Sequence, residues 1–224
     1  MTSNEAAGLI KEGLNKLDSK DYPDLELWQI EAATNRALLS ILRRKLPKKE
    51  ERLKDVEDLQ ILLKTVRLAG SNKDIFFLSH KLPDDYFWYS RNTVIASKGN
   101  CSSIKMQSDL QEDANVDDLL SNYNTSPSFD FEQSFHVING NKIKQYHNND
   151  FTVDELELSY YRNPQRITYE KTPQWDGGVG KNMKWEWSRH FSELILEETI
   201  NILSGNIENN NMYQISANKI QQLN

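Results

Sequence analysis

The sequence holds a single cysteine, Cys101, among 224 residues. That excludes an intramolecular disulfide and any cysteine-based zinc site, and it fits a reducing compartment. Long apolar runs are missing too: none approaches the roughly 20 residues that a membrane-spanning helix needs. The N-terminal stretch MTSNEAAGLIKEG lacks the basic segment and apolar core of a secretory signal. The expectation is a soluble, cytosolically made protein with no membrane partner. Apolar residues are modest at 38%, and the mean hydropathy is −0.72. Some segments are therefore expected to become ordered only against partners. Positive charge does not dominate either. A net charge of −6 argues against a surface that tracks nucleic acid everywhere, but it leaves room for a local basic patch. The length allows one large domain or two small ones.

The clearest signal present is FTVDELELSYYRNPQRI, residues 151–167. Leu156, Leu158 and Tyr160 alternate with Glu155, Glu157, Ser159 and Tyr161, the period of a half-buried strand. Pro164 ends it, since proline cannot donate to a sheet ladder. Residues before about Val66 and after about Met183 read as helix. The fold expected is α+β: a helical bundle from the N- and C-terminal segments with an inserted antiparallel β-rich domain. Its divisions are residues 1–69, the β-rich 70–183, a core helix over 184–205 and a docking tail over 206–224.

The first helix spans about Asn4 to Leu17. The second opens at Asp21-Tyr22-Pro23-Asp24 and closes at Pro47. Trp28, Ala32, Asn35, Leu39 and Leu42 make one continuous face of it, and Leu27, Ile30, Ala37, Leu38 and Ile41 a second. A helix with two such faces is expected to be covered on both sides, and Asn35 in the first seam then needs a hydrogen-bond partner. A third helix is expected from about Glu50 to Val66. Four to five antiparallel strands follow, including a hairpin at Asn139-Gly140, with one or two polar helical turns around Leu119 and Leu120. The last helix, about Lys184 to Leu203 and stopped by Gly205, has apolar residues on two faces. It is expected to pack within its own subunit and against a neighbour, with Glu198 inside an apolar face in need of a partner.

No candidate chemistry assembles into an active site, and neither an enzyme activity nor a cofactor nor a metal is expected. Glu186, His190, Glu193 and Glu197 fall on one helical stripe, but no second Glu-x-x-His segment completes a metal site. Asp84-Asp85 reads as a turn, and Glu155 with Glu157 as the wet face of a strand, rather than as acid/base pairs. Cys101 has no companion histidine in a recognisable motif. The loop Gln174 to Lys181, QWDGGVGK, lacks the full phosphate-cradle pattern. Trp187 belongs to the core, which leaves Trp175 and Trp185 free for an interface. The basic run Arg43, Arg44, Lys45, Lys48 and Lys49 is the one patch suited to phosphate contact, with a solvated loop or a salt bridge to a neighbouring subunit as the other readings.

Three segments carry a resemblance. LPDDYFWYSR (82–91), LELSYYRNPQRI (156–167) and HFSELILEETINIL (190–203) are similar to the corresponding stretches of head-to-tail adaptor, or neck, proteins of tailed bacteriophages, particularly the crAss-like phages. The two N-terminal helices, one opening with Tyr22-Pro23-Asp24 and one carrying Asp58-Leu59, are also adaptor-like. The stretch Ser103 to Pro127 has no counterpart. The resemblance implies a structural virion protein made in the host cytoplasm. It would form a homo-oligomeric ring of twelve copies between the portal protein and other neck or tail rings, around the channel for packaged DNA. Arg43, Arg44, Lys45, Lys48 and Lys49 are then candidates for channel or neighbour contacts, and Met212, Tyr213, Ile215 and Ile220 for a docking tail. The runner-up class is a small nucleic-acid-binding protein using the basic loop 43–54, and a third, a hydrolase, would need a concave acidic pocket around Glu155, Glu157 and Trp175.

Overall fold

A computed structural model describes residues 1–17, 25–46, 57–174 and 176–206. The fold is mixed α+β. The N-terminal helices pack with the C-terminal one, and an eight-strand, mostly antiparallel sheet lies between them in sequence. Two compact units divide the chain: Met1–Ile61 with Pro164–Asn224, and Leu62–Asn163. The second line of division falls at Pro164, the proline expected to end the long strand.

In the first unit, α1 (Ser3–Leu17) and α2 (Leu27–Lys45) both pack on α4 (Arg189–Asn206). Phe191, Leu194, Ile195, Leu196, Ile200 and Leu203 of α4 are all buried. The face of α4 expected to wait for a neighbour is thus covered by the unit's own helices. α4 also starts later than its sequence period suggests. Ser188 caps it, its Oγ accepting from the Phe191 amide at 3.2 Å, and Gly205 lies inside the helix. α2 begins at Leu27, where the Gln29 side chain accepts from the Glu26 amide at 3.0 Å; the Asp21 to Asp24 opening lies outside the described residues.

The third expected helix is overturned in part. Residues 57–62 are helical, ending in a 3-10 turn, but Leu63–Leu68 is strand β1. Leu63 and Val66 fit a helical period with Leu59, yet the alternation of Val66 and Leu68 fits a strand equally well. Pairing with β8 (Thr152–Arg162) over Leu63↔Tyr161 to Leu68↔Leu156 decides it.

The sheet has eight strands, not four or five, in the order β1-β8-β4-β5-β6-β7-β3-β2. The remaining strands are β2 (Gly70–Asn72), β3 (Phe76–Ser79), β4 (Tyr86–Lys98), β5 (Cys101–Leu110), β6 (Gln133–Asn139) and β7 (Lys142–Tyr146). Its two edges, β1 and β2, are separated in the chain by Ala69 alone, so the sheet curls until its edges share one stretch of chain. The Asn72 side chain completes the seam, donating to the Val153 carbonyl at 2.8 Å and accepting from its amide at 3.3 Å. β1 and β2 nevertheless remain the terminal strands of the ladder, each paired along one side. The core inside includes Phe77, Val94, Ala96, Met106, Ile143, Val153, Leu156, Leu158 and Tyr160. Leu156, Leu158 and Tyr160 point inward as their alternation predicts, while Ser159 and Tyr161 are buried too.

The predicted hairpin joins β6 to β7, with Asn139 paired to Lys142 and Gly140 at φ +62°, a conformation that favours glycine. β5 and β6 are parallel, so their connection must cross over. That crossover carries α3 (Val116–Ser121), whose Val116, Leu119 and Leu120 cover Phe135, Val137 and Tyr146. This accounts structurally for most of the 103–127 stretch.

Gly70 sits where β1 hands over to β2. A Cβ there would lie 2.2 Å from the Leu78 carbonyl oxygen and 2.7 Å from the Phe77 ring. Both neighbours are fixed by the sheet, so Gly70→Ala is expected to cost about 3 kcal/mol through overpacking. Urea unfolding of the variant beside wild type measures it.

Candidate functional site

The outer face of α2 is the most distinctive surface of the first unit. The helix buries Ile30, Ala33, Thr34, Ala37, Leu38, Ile41 and Leu42. The row expected to form its other covered face does not behave that way: Trp28 is 53% and Leu39 36% exposed, and Ala32 is exposed between them. Only Leu42 and the half-buried Asn35 of that row are covered. Asn35 has the partner its position demanded. It donates to the Ile167 carbonyl at 2.7 Å and accepts from the Ile167 amide at 3.0 Å, as a strand would.

Two shallow grooves run along this face. One, of about 400 Å³, is lined by Leu25, Trp28, Ala32, Arg36, Ile202 and Leu203 among others. The second, of about 580 Å³, is lined by Asn35, Arg36, Leu39, Ser40, Arg43 and Arg44. Arg36 belongs to both, so they form one apolar strip with a cationic border. Arg36 and Arg43 are exposed and, among the described residues, show no ion pair.

The basic run itself is divided by the fold. Arg44 lies 3.1 Å from Glu198, which also accepts from the Ser40 hydroxyl at 3.1 Å. This is the partner that Glu198 needed inside its apolar face. Lys45 lies 3.6 Å from Asp58 and 5.8 Å from the centre of the Phe191 ring, with its side chain only 12% exposed. Lys48 and Lys49 lie outside the described residues, as do Met212, Tyr213, Ile215 and Ile220.

Sequence reasoning missed Glu31. It is 3% exposed on α2, on the same side of the helix as the buried Ile30 and Thr34. The strap that follows the sheet converges on its carboxylate. Oε1 receives Arg166 at 3.2 Å and Gln174 at 3.0 Å, and Oε2 receives the Tyr169 amide at 3.2 Å and the Thr172 hydroxyl at 2.5 Å. A buried carboxylate is tolerable only with such saturation. Its contacts are all within the unit, so it is an anchor rather than a reactive acid. A charged residue at a helix position that the apolar period wants filled was the available signal.

The second unit holds a buried polar network. The Gln145 amide nitrogen donates to the Phe135 carbonyl at 2.8 Å, which leaves its Oε1 to accept from Asn92 Nδ2 at 3.0 Å and Ser108 Oγ at 2.8 Å. With its one hydrogen so used, Ser108 accepts from His136 Nδ1 at 2.8 Å. A serine beside a histidine is the geometry of an activated nucleophile. Here the hydroxyl points away from the imidazole, and Ser108 and His136 are 2% and 0% exposed inside the sheet, so no substrate reaches them. Burial pushes the His136 pKa down to about 3.

Two of the segments behind the resemblance meet in this unit. Tyr160 donates to Asp85 at 2.7 Å, Lys64 lies 2.6 Å from the same carboxylate, and the Asn163 amide donates to the Asp85 carbonyl at 2.7 Å. The Lys64 ammonium, and then the Tyr160 hydroxyl, hold Asp85 below the usual carboxylate range. Burial and this carboxylate push Tyr160 above the usual phenol range. Asp85 therefore ties strand ends together, while Asp84 pairs with Lys81. Glu155 and Glu157 face Arg67 and Lys105 at 3.5 and 3.0 Å.

The other sequence candidates are dispersed. Glu186 lies before α4 and accepts from the Gln165 amide at 3.0 Å, whereas Glu193 pairs with Arg189 along the helix. Among the described residues no three His, Cys, Asp or Glu side chains group to hold a metal ion, and no helix is long and apolar enough to cross a membrane. Cys101 is exposed. The Gly180 amide donates to the Thr172 carbonyl at 2.8 Å and so is unavailable to a phosphate. Trp185, expected to be free, is 3% exposed and donates to Ser3 Oγ at 3.3 Å; Trp175 lies outside the described residues. Compared with known proteins, the chain matches no protein-family model and no curated protein.

Proposed function

We propose that this chain is a structural subunit of a multi-copy assembly, a head-to-tail adaptor of the kind its sequence resembles. It joins a portal protein to other neck or tail rings as a ring of twelve copies in the virion, around the passage for packaged DNA, and it has no enzymatic role. The observation that carries this reading is the outer face of α2. It is an apolar strip of Trp28, Ala32 and Leu39 bordered by Arg36 and Arg43, exposed on a helix whose other side is fully packed. Exposed apolar strips with polar rims mark protein contacts. The clusters around Glu31 and Gln145 fit the same reading, because their hydrogen bonds run within the chain.

Light scattering on the purified chain, alone and mixed with the portal of the same source, tests it. The expected result is a stoichiometric ring on the portal. A chain that ignores the portal and binds short duplex DNA with a steep salt dependence overturns it in favour of a nucleic-acid-binding protein.

A further inference from the structure

We infer that the partner of the α2 face is a second copy of this chain, contacting it through the acidic crossover between β5 and β6. The inference rests on the assembly reading above. Between Lys105 and Ser128 the sequence has no lysine or arginine, yet it carries Asp109, Glu112, Asp113, Asp117 and Asp118. All five are exposed, and among the described residues none takes part in an ion pair. Leu110 stands among them, 45% exposed, in a groove of about 860 Å³ that Glu112 and Asp113 also line.

The α2 face has the opposite character. Arg36 and Arg43 border its apolar strip, and Glu31, the one acid within the helix, is buried and fully bonded. An apolar strip with a cationic rim thus matches an apolar residue with an anionic rim. Charges so arranged steer encounter and fix register. The two surfaces are different parts of one chain, so each copy offers both. With the two surfaces of one copy on different neighbours, as in a ring, the contact is heterologous and propagates head to tail until the ring closes. The acidic crossover, for which the resemblance offered no counterpart, is thereby given a role at the joint between copies.

The test uses the full chain. R36E/R43E and D113K/D117K each put like charges across the contact, and each is expected to weaken self-association about 100-fold in sedimentation velocity. All four positions are exposed, so thermal midpoints stay at the wild-type value. Mixed together, the two variants share two complementary joints, one charge-reversed and one of wild-type kind, and co-assemble in alternation. The quadruple variant regains wild-type assembly, and raised salt weakens wild-type assembly. Either double variant assembling like wild type, or a mixture that stays monomeric, overturns the inference. Variants that still form rings on the portal sink this contact and leave the adaptor reading intact. Charge-dependent self-association without portal binding does the reverse.

Discussion

Replacing Glu31 by alanine is expected to be among the most damaging single changes in the helical unit. It leaves the Tyr169 amide, the Thr172 hydroxyl, the Gln174 amide and Arg166 without their shared acceptor, at a site only 3% exposed. Removing one partner of a buried charged cluster strands the others, and the loss should be about 4 kcal/mol. For a chain of this size that lowers the unfolding midpoint by about 10 °C. Glu31→Gln keeps one acceptor oxygen but turns an amide group toward the Tyr169 and Thr172 donors, so it should fall between alanine and wild type. Arg166→Ala removes a partner whose side chain is half exposed, and about 1 kcal/mol is expected. Thermal unfolding of the three variants checks the ranking. Equal losses for Arg166→Ala and Glu31→Ala would show that the ion pair, rather than the convergence of backbone and side-chain donors, holds the strap.

The second large effect is a loss of stability in acid centred on His136. In the unfolded chain this imidazole takes a proton near pH 6.5, whereas inside the sheet it stays neutral down to about pH 3. Across that window the unfolded state binds more protons, so stability falls as pH falls. The contribution is complete above pH 6.5 and is lost progressively toward pH 3, on the order of 5 kcal/mol over the whole range. The physical cause is burial: protonated, the ring would carry a charge in the interior, where its hydrogen-bond partner Ser108 is itself committed to Gln145 and its other neighbour is the Tyr89 ring, 5.3 Å away between centres. His147 is shifted in the same direction by its burial and adds a smaller slope. Urea unfolding at several pH values, with His136→Leu beside wild type, measures the effect. The variant should keep only a shallow dependence between pH 6.5 and 4. An unchanged slope would assign acid sensitivity to other groups.

Much of the local structure was legible in the residues, and particular side chains show why. Asn35 and Glu198 each occupied a helix position that the apolar period wanted buried, so each had to find a partner; Ile167 and Arg44 supply them. Asn139-Gly140 marked a hairpin because glycine tolerates the positive φ that the turn imposes. By the same logic Glu31 was also legible, as a carboxylate on the most buried side of α2. Its partners Arg166, Thr172 and Gln174 lie some 135 residues away in a strap without periodicity. Nothing in that strap announces where its donors point.

The sequence by itself determined the α+β class, the helices of residues 3–17, 27–45 and 189–206, the β8 strand and its inward row of Leu156, Leu158 and Tyr160. These follow from periods of 3.6 and 2, which a chain reads over a dozen residues at a time. Only the tertiary structure decided that Leu63 to Leu68 is strand rather than helix, that the sheet has eight strands and curls onto its own first strand, and that one side of α2 remains exposed. Each depends on contacts between residues far apart in the chain. An apolar side chain carries its hydrophobicity in the sequence, but whether anything arrives to cover it is settled by the rest of the fold.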